Sequence, residues 1–249
     1  PDPSNPKNLI DLQNNLATTD SEIGLAFDGD ADRLGVVTKS GEIIYPDRPL
    51  LLFSEWVLKE NPGSTIIFDV KSTRHLFKWI SDRGGKPLIW KTGHSLIKSK
   101  MKEVGAILAG EMSGHTFFHD KWYGFDDGLY AGARLLEILS RYDDPSAVLE
   151  SLPKGFSTPE LNINLEEGEQ HILIKKMQDN SEFPNAVDII KIDGLRVEYQ
   201  NGFGLMRGSN TTPVIVLRFE ANTQSDLIMI QEEFKVVLSQ HINKSKFSF

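Results

Sequence analysis

Two patterns of apolar positions divide the chain. Runs rich in β-branched and aromatic residues, such as 65–70 and 86–93, are each followed by a segment with apolar residues at helical spacing. Strands that alternate with helices are typical of an α/β domain with helices on both faces of its sheet. The pattern between residues 43 and 154 therefore predicts a three-layer α/β domain with a mixed sheet. The predicted helices are 74–84, 95–105 and 126–142.

The pattern changes after residue 160. Strand-like runs now follow one another, with turn signals at Asp193-Gly194 and Asn201-Gly202. Helical spacing appears at 169–180 and 225–242. Runs of strands with a few flanking helices predict a small α+β domain with an antiparallel sheet. The Pro- and Ser-rich stretch 143–160 is predicted to link the two domains.

A shorter apolar segment precedes the α/β region. Residues 23–27 form an apolar run, and the runs on either side of Lys39-Ser40-Gly41 predict a hairpin. The first eight residues contain three prolines and predict a loop.

Composition narrows the classes of function. The 249 residues carry 35 Asp plus Glu against 27 Lys plus Arg, for a net charge of -8. This balance disfavours nucleic acid as a partner, because phosphate backbones recruit clustered cations. The sequence has no cysteine, no membrane-length apolar run and no signal-peptide pattern, so we expect a cytoplasmic protein that does not bind membranes.

Three aspartates follow directly after the apolar run 23–27. Asp28, Asp30 and Asp32 occupy alternate positions, and Arg33 comes next. In an extended segment alternate side chains share one face, so the three carboxylates are expected to converge. Their repulsion is unfavourable unless a cation neutralises it, and Mg²⁺ prefers oxygen ligands. The motif therefore predicts a Mg²⁺ site.

Two other kinds of site begin with a similar acidic loop. An EF-hand needs Gly at its sixth position and Glu at its twelfth, where this chain has Arg33 and Lys39, so that site is excluded. A phosphatase with an aspartyl-phosphate nucleophile at Asp28 remains an alternative, although such enzymes typically have Thr or Val where Asp32 stands.

Polar clusters follow three successive strands of the predicted α/β sheet. Lys71 follows the first strand, "KTGHS" (91–95) the second and "EMSGH" (111–115) the third. Ligands of such sheets bind beyond the carboxyl ends of the strands. His94 lies beside the start of a predicted helix, where an anion or a polarised hydroxyl is favoured. The Glu and Ser of the third cluster can bind vicinal sugar hydroxyls.

A fourth cluster, "RGSNTTP" (207–213), lies between two predicted strands. Arg207 offers a two-pronged donor for phosphate oxygens, and the following hydroxyl, amide and backbone groups add further donors. The cluster is a candidate phosphate-binding loop, and an ordinary β-turn is the alternative.

Together these motifs resemble the α-D-phosphohexomutases, most closely the bacterial phosphomannomutase/phosphoglucomutase group. The resemblance covers essentially the whole chain and requires four separate loops to coincide. It implies an isomerase that interconverts hexose 6-phosphate and hexose 1-phosphate, of mannose and also of glucose, through a phosphoserine and a bisphosphorylated sugar. The matching motifs are "GLAFDGDADR", "DVKSTR", "WKTGHSLIKSKM", "LAGEMSGH", "GFDDGLYAGARLLEIL" and "RGSNTTPVIVLRFEA".

The resemblance also implies a role for each residue. Family members have four domains, and this chain would hold the end of the second (1–42), the third (43–154) and the fourth (155–249). The implied Mg²⁺ ligands are Asp28, Asp30 and Asp32, and the implied catalytic residues are Arg33, Lys71, His94 and His115. The implied substrate-binding residues are Glu111, Ser113 and His115 for the sugar, and Arg207, Ser209, Asn210 and Thr211 for the phosphate.

The sequence departs from the family pattern in two places. The "TASHNP"-like loop that carries the family's nucleophilic serine does not occur in it. We therefore expect no mutase activity and only weak Mg²⁺ binding from this chain alone, with N-terminal mutase domains as its missing partners. A stand-alone sugar-phosphate-binding module is the alternative. Ala31, where many members have Gly, is expected to be tolerated at a negative φ.

Overall fold

The fold is described from a computed structural model, which covers residues 2–247 and 249. The chain divides into two compact units, residues 1–154 and 155–249. The finer division into 1–42 and 43–154 stays a prediction. Among the described residues, none of the helices is long and apolar enough to cross a membrane.

The first unit alternates strands with helices, as its sequence pattern predicts. Its strands are β1 (Ile23–Phe27), β2 (Leu34–Thr38), β3 (Ile43–Ile44), β4 (Thr65–Asp69), β5 (Lys86–Trp90), β6 (Leu108–Gly110) and β7 (Thr116–Phe118). Its helices are α1 (Ile10–Thr18), α2 (Asp47–Glu60), α3 (His75–Asp82), α4 (His94–Val104), α5 (Gly128–Leu139) and α6 (Pro145–Glu150).

Two sheets form the first unit. An antiparallel sheet has the order β1-β2-β3, which confirms the predicted hairpin. A mixed sheet has the order β5-β4-β6-β7, with β4 parallel to β5 and β6 and with β7 antiparallel to β6. Successive β4 side chains pack on opposite faces of the mixed sheet. Ile66 and Phe68 pack in a hydrophobic cluster with α2, α3 and α5, whereas Ile67 packs in a second cluster with α4. Helices therefore cover both faces of the mixed sheet, and the predicted three-layer α/β architecture is confirmed.

The second unit is an α+β fold with an antiparallel sheet, again as predicted. Its elements are β8 (Phe156–Ser157), β9 (Leu161–Asn164), α7 (Glu169–Asn180), β10 (Asp188–Ile190), β11 (Leu195–Tyr199), β12 (Gly202–Gly208), β13 (Val214–Ala221) and α8 (Gln224–Ser239). The strand order is β10-β11-β12-β13-β8, and β9 also pairs with β13. Met206 and Phe219 share one core with Phe234 of α8, so α8 packs against one face of this sheet.

Three helical segments differ from the sequence expectations. No helix was predicted at α2, whose residues 47–54 are all buried. A helix that is buried all round lacks the amphipathic spacing that would reveal it. The predicted linker 143–160 contains α6, which Asp144 caps through a hydrogen bond from Ala147 N. The predicted N-terminal loop contains a 3₁₀ helix at Pro6–Leu9.

Candidate functional site

The three aspartates of the predicted metal site converge, but the expected extended backbone was wrong. Residues 28–32 form a turn between β1 and β2, closed by a hydrogen bond of 3.2 Å from Ala31 N to Asp28 O. One carboxylate oxygen from each of Asp28, Asp30 and Asp32 lies within 4.8 Å of the others. The turn therefore brings together the all-oxygen ligand set that suits Mg²⁺.

A left-handed residue shapes this turn. Ala31 has a φ of 58°, so the negative φ at which Ala is tolerated without strain is not met, and the residue is strained by roughly 1 kcal/mol. Ala31 O accepts a hydrogen bond of 2.9 Å from Gly128 N at the start of α5. A Cβ at Gly128 would lie 2.7 Å from Arg33 O and 2.8 Å from Ala31 O. Only glycine permits α5 to approach the metal loop this closely.

Arg33 fixes the innermost carboxylate of the loop. Arg33 Nε donates to Asp28 Oδ2 at 2.5 Å, and the Arg33 backbone N–H donates to Asp28 Oδ1 at 3.1 Å. Burial opposes ionisation of Asp28, but the Arg33 hydrogen bonds outweigh it and hold the pKa of Asp28 below its usual value. Burial raises the pKa of Asp32, and the charges of Asp28 and Asp30 add to that rise, although the charge of His115 acts in the opposite direction. The loop is therefore under electrostatic strain that a cation would relieve.

His115 meets two carboxylates beside the metal loop. An antiparallel bridge between Arg33 and His115 holds the "EMSGH" loop against the metal loop. His115 Nδ1 lies 3.5 Å from Asp32 Oδ2 and 3.3 Å from Asp126 Oδ2. Both are ion-pair contacts without hydrogen-bond alignment, and within the described part of the chain Nδ1 is buried without a hydrogen-bond partner.

These carboxylates favour the charged form of His115. Burial by itself lowers the pKa of His115. The contact with Asp126 and the charges of Glu111 and Asp32 outweigh burial and raise the pKa above its ordinary value. His115 is therefore placed to hold or release a proton near neutral pH.

Asp126 is a site residue that the sequence analysis missed. Its side chain is 7% exposed, and it pairs with Lys98 Nζ at 2.8 Å and His94 Nδ1 at 3.2 Å. Burial raises the pKa of Asp126, but the contacts with His115 and Lys98 outweigh burial and lower the pKa well below its usual value. The rings of His94 and His115 stack with centroids 5.7 Å apart. The structure thus brings the two predicted histidines together around a carboxylate.

Glu111 lies deep in the same loop. It is 2% exposed, and its Oε1 accepts a hydrogen bond of 2.6 Å from Gly93 N. Burial and the charge of Asp69 raise the pKa of Glu111 to about 7, although the Gly93 hydrogen bond and the charges of His115 and Lys71 act in the opposite direction. Within the described residues, Glu111 Oε2 is buried without a hydrogen-bond partner, which is uncommon for a buried carboxylate oxygen.

Asp69, at the end of β4, ties the three predicted polar loops together. It is fully buried and accepts hydrogen bonds from Ser72 Oγ at 2.6 Å, Thr92 Oγ1 at 3.0 Å and Met112 N at 3.2 Å. The sequence analysis missed Asp69 as well. Its position at the carboxyl end of a strand was the available signal.

Lys71 and Ser113 take different positions in these loops. Lys71 is 6% exposed, so it is not the solvated lysine that its residue type suggests. Its charge acts on the pKa of Glu111, which places both groups in one electrostatic cluster. Ser113 is half-buried in the "EMSGH" loop.

The candidate phosphate loop lies in the second unit, between β12 and β13. Ser209 Oγ accepts hydrogen bonds of 3.3 Å from both Thr211 N and Thr212 N, and of 3.0 Å from Thr212 Oγ1. Asn210 and Thr211 are exposed. Ser209 therefore shapes the turn from within, and the exposed residues present donors at its surface.

Arg207 is held in place before this turn. It is 5% exposed, and its Nε donates to Asp193 Oδ2 at 3.0 Å. Gly194 has a φ of 79°, and a Cβ there would lie 2.7 Å from the Cα of Arg207. The Asp193-Gly194 turn thus packs directly on the Arg207 backbone and orients its guanidinium.

Three family models match consecutive parts of the chain. They are described as phosphoglucomutase/phosphomannomutase alpha/beta/alpha domain II at residues 1–41, alpha/beta/alpha domain III at 45–156 and C-terminal domain at 160–235.

Curated relatives and a solved structure match nearly the whole chain. A phosphoglucomutase of Neisseria meningitidis serogroup A is 63% identical over 98% of this chain and 53% of its own length. A phosphomannomutase/phosphoglucomutase of Pseudomonas aeruginosa is 54% identical over 94% of this chain and 51% of its own length. A crystal structure of a phosphoglucomutase/phosphomannomutase family protein from Burkholderia thailandensis superposes with a TM-score of 0.91, at 60% identity over 96% of this chain and 51% of that chain. The chain therefore spans about half the length of the relatives that it matches.

Proposed function

Because this chain belongs to the phosphoglucomutase/phosphomannomutase family, we propose that it forms part of a cytoplasmic mutase that interconverts hexose 6-phosphate and hexose 1-phosphate. Mannose and glucose phosphates are the proposed substrates, in agreement with the names of the relatives. The observation that carries the proposal is the bridge between Arg33 and His115, which joins a carboxylate-rich loop to a sugar-binding type of loop. It places the proposed metal-binding loop beside the proposed sugar-binding loop.

The "EMSGH" loop is proposed to bind and activate the sugar. The buried Oε2 of Glu111 has no hydrogen-bond partner within the described chain, so it can bond a sugar hydroxyl without first losing another contact. Ser113 supplies a second polar group in the same loop. His115 in its neutral form is the proposed proton acceptor for the attacking hydroxyl, and the carboxylate of Asp126 stabilises the imidazolium that results.

Arg33, Lys71 and His94 are proposed to act on the transferring phosphoryl group. Each carries or can accept a positive charge, and preorganised charges of this kind stabilise a phosphoryl group in transfer. Arg207, Ser209, Asn210 and Thr211 are proposed to hold the substrate's non-reacting phosphate. The Asp193 pairing supports this role, because it orients the Arg207 guanidinium in advance.

Asp28, Asp30 and Asp32 are proposed to hold Mg²⁺. Their converging oxygens fit its preference for hard ligands. When bound, Mg²⁺ neutralises charge on the transferring phosphoryl group. For a dissociation constant near 1 mM, 10 mM Mg²⁺ would stabilise the first unit by about 1.4 kcal/mol. Thermal unfolding should show this shift for the native sequence and for D20N, a change in an exposed residue, but not for D30N.

The nucleophile is proposed to come from outside this sequence. A phosphoserine on an N-terminal mutase domain would donate its phosphoryl group to the sugar, and the bisphosphorylated intermediate would return its other phosphoryl group to the serine. On this proposal the 249-residue chain alone has no mutase activity. The missing N-terminal domains are then obligatory partners.

Complementation tests the proposed function. The purified chain is mixed with the N-terminal half of the Neisseria meningitidis relative, and conversion of glucose 1-phosphate to glucose 6-phosphate is followed. We expect turnover only in the mixture, and we expect R33A to abolish it. Robust turnover of mannose 1-phosphate by the chain alone would refute the assignment of the nucleophile. Binding of a hexose phosphate without turnover in the mixture would favour a stand-alone sugar-phosphate-binding module.

The geometry of Asp28 disfavours the aspartyl-phosphate alternative. Both of its carboxylate oxygens already accept hydrogen bonds from Arg33. A nucleophilic oxygen needs a lone pair directed at phosphorus, and two charge-assisted bonds reduce its availability. Trapping of beryllofluoride on Asp28 would reverse this conclusion.

A further inference from the structure

The first unit has a cleft between α4 and the segment that follows β7. It encloses about 370 Å³, within the range of roughly 300–1,000 Å³ that is typical of small-molecule sites. Among the described residues, none of the proposed metal or substrate ligands lines it. Its lining includes the buried residues Met101 and Ala106 together with Lys98, Lys102, His119 and Tyr123.

The lining of this cleft is positively charged. Lys98 and Lys102 lie four positions apart on α4, so they share one face of the helix. No carboxylate is among the described lining residues. Lys98 pairs with Asp126, which does not line the cleft, whereas Lys102 has no ion-pair partner in the described part of the chain. In a chain with a net charge of -8, such a cleft favours an anionic ligand.

Tyr123 is held beside the cleft by its anchored neighbours. The ring of Trp122 stacks on Tyr130 of α5 with the centroids 4.4 Å apart. Gly124 N donates to Phe118 O at 2.8 Å, and the φ of 81° at Gly124 favours glycine there. These contacts fix the backbone on both sides of Tyr123, yet Tyr123 itself is 76% exposed. An exposed ring on a fixed backbone can stack on a planar ligand with little loss of conformational entropy.

We propose that this cleft binds a small aromatic phosphate, with the phosphate on Lys98 and Lys102 and the planar ring on Tyr123. Two ammonium groups match the charge of about −1.5 to −2 that a phosphate monoester carries near neutral pH. Exposed aromatic side chains bind unpaired nucleobases by the same kind of stacking. The proposal does not depend on the mutase reaction, because it concerns a different ligand in a different place.

Lys98 can contribute to this site while it keeps its contacts elsewhere. Its Nζ lies 2.8 Å from Asp126 Oδ1 and 3.3 Å from His94 Nδ1. An ammonium group has three N–H donors, so one donor remains for a phosphate oxygen. Lys102 supplies the charge that no described carboxylate neutralises, and it is therefore the better residue to test.

Binding of adenosine monophosphate (AMP) to the native chain tests the proposed ligand chemistry. Calorimetry compares AMP with adenosine, which lacks the phosphate, and with inorganic phosphate, which lacks the ring. We expect AMP to bind at least about tenfold more tightly than either, because each of these loses one of the two contacts. Phenyl phosphate distinguishes the two sources of this chemistry. If it binds as tightly as AMP, the site accepts aromatic phosphates in general, and if it binds more weakly, the site prefers nucleotides.

Variants of the lining place the ligand in the cleft. We expect Y123A and K102Q each to lose at least about fivefold in AMP affinity, since stacking and charge are removed separately. Y142A and K78Q are matched controls, because Tyr142 and Lys78 are exposed residues of the same unit, and both should bind AMP as the native chain does. Y123F and K102R keep the ring and the charge and should retain the affinity, which separates loss of contact from loss of fold.

Three results would overturn the proposal. The first is equal AMP affinity in the native chain, Y123A and K102Q. The second is AMP binding no tighter than that of adenosine or inorganic phosphate. The third is displacement of AMP by excess glucose 6-phosphate, which would place AMP in the proposed substrate site. The variant and ligand comparisons require no turnover, so failure of the proposed mutase function would leave them unchanged.

Discussion

The buried carboxyl of Glu111 should make the first unit less stable as the pH rises. Its pKa is raised from 4.5 to about 7 in the folded chain, chiefly by burial. Between these two values the unfolded chain has lost the Glu111 proton and the folded chain retains it. The folded state therefore binds more protons, and the free energy of unfolding falls with increasing pH.

The magnitude follows from the size of the shift. The change from 4.5 to about 7 corresponds to about 3 kcal/mol, since each pKa unit is worth 1.36 kcal/mol. The full stabilisation by the neutral form is present below pH 4.5 and is lost as the pH rises through 7. E111Q keeps the shape of the neutral side chain and an oxygen for the Gly93 N–H, but it cannot ionise. Relative to E111Q, the native chain should lose about 3 kcal/mol between pH 4.5 and pH 8.

Tryptophan fluorescence can isolate this effect. All four tryptophans, at positions 56, 79, 90 and 122, belong to the first unit, so urea unfolding followed by fluorescence reports that unit. The experiment runs without divalent ions at several pH values, with E22Q as control because Glu22 is exposed. Parallel pH profiles for the native chain and E111Q would refute the reasoning, because Glu111 would then ionise equally easily in both states.

Two glycine-related predictions test the backbone geometry. A31G should stabilise the first unit by about 0.5–1 kcal/mol, because it relieves the strain of the left-handed Ala31. A133G, in the exposed middle of α5, should instead destabilise this unit by about 1 kcal/mol. Urea unfolding measures both changes, and a change in stability of the same sign in both variants would contradict this prediction. G194A should destabilise the second unit by at least about 2 kcal/mol, because its methyl group would overlap Met206 O, whereas G168A meets nothing within 4 Å and should cost only about 1 kcal/mol. Hydrogen exchange of the β12 amides would measure the stability of the second unit in G194A and G168A. An equal loss of stability in the two variants would show that the structure adjusts to the added methyl group at residue 194.

The fold was largely predictable because its strands and most of its helices carry periodic apolar patterns. Helix α2 was the clearest exception, since ten of its fourteen residues are buried, including Asp47 and Arg48. Asp47 accepts a hydrogen bond from Thr73 N, and Arg48 bonds the carbonyl of Leu149. These long-range partners allow charged residues inside the core, and no local pattern in the sequence reveals them.

The candidate site was predictable in its residue types but not in its connections. The spacing of Asp28, Asp30 and Asp32 indicated their convergence, although a turn and not an extended strand produces it. Asp69 and Asp126 were missed because their partners lie far away in sequence. Asp69, for example, bonds the backbone of a residue 43 positions later. Local spacing in the sequence indicates which side chains lie close together. The tertiary fold determines which buried carboxylates contact those side chains.

The two missed carboxylates explain why the neighbouring site residues differ in protonation. Burial, together with the negative charge of Asp69, raises the pKa of Glu111 to about 7. Asp126 lies against His115 and favours its charged form. An acid with a raised pKa and an imidazole whose charged form is favoured therefore lie four positions apart in one loop. The buried partners therefore favour different protonation states in the loop, and substitutions at Asp69 or Asp126 should alter the proposed sugar binding through Glu111 and His115.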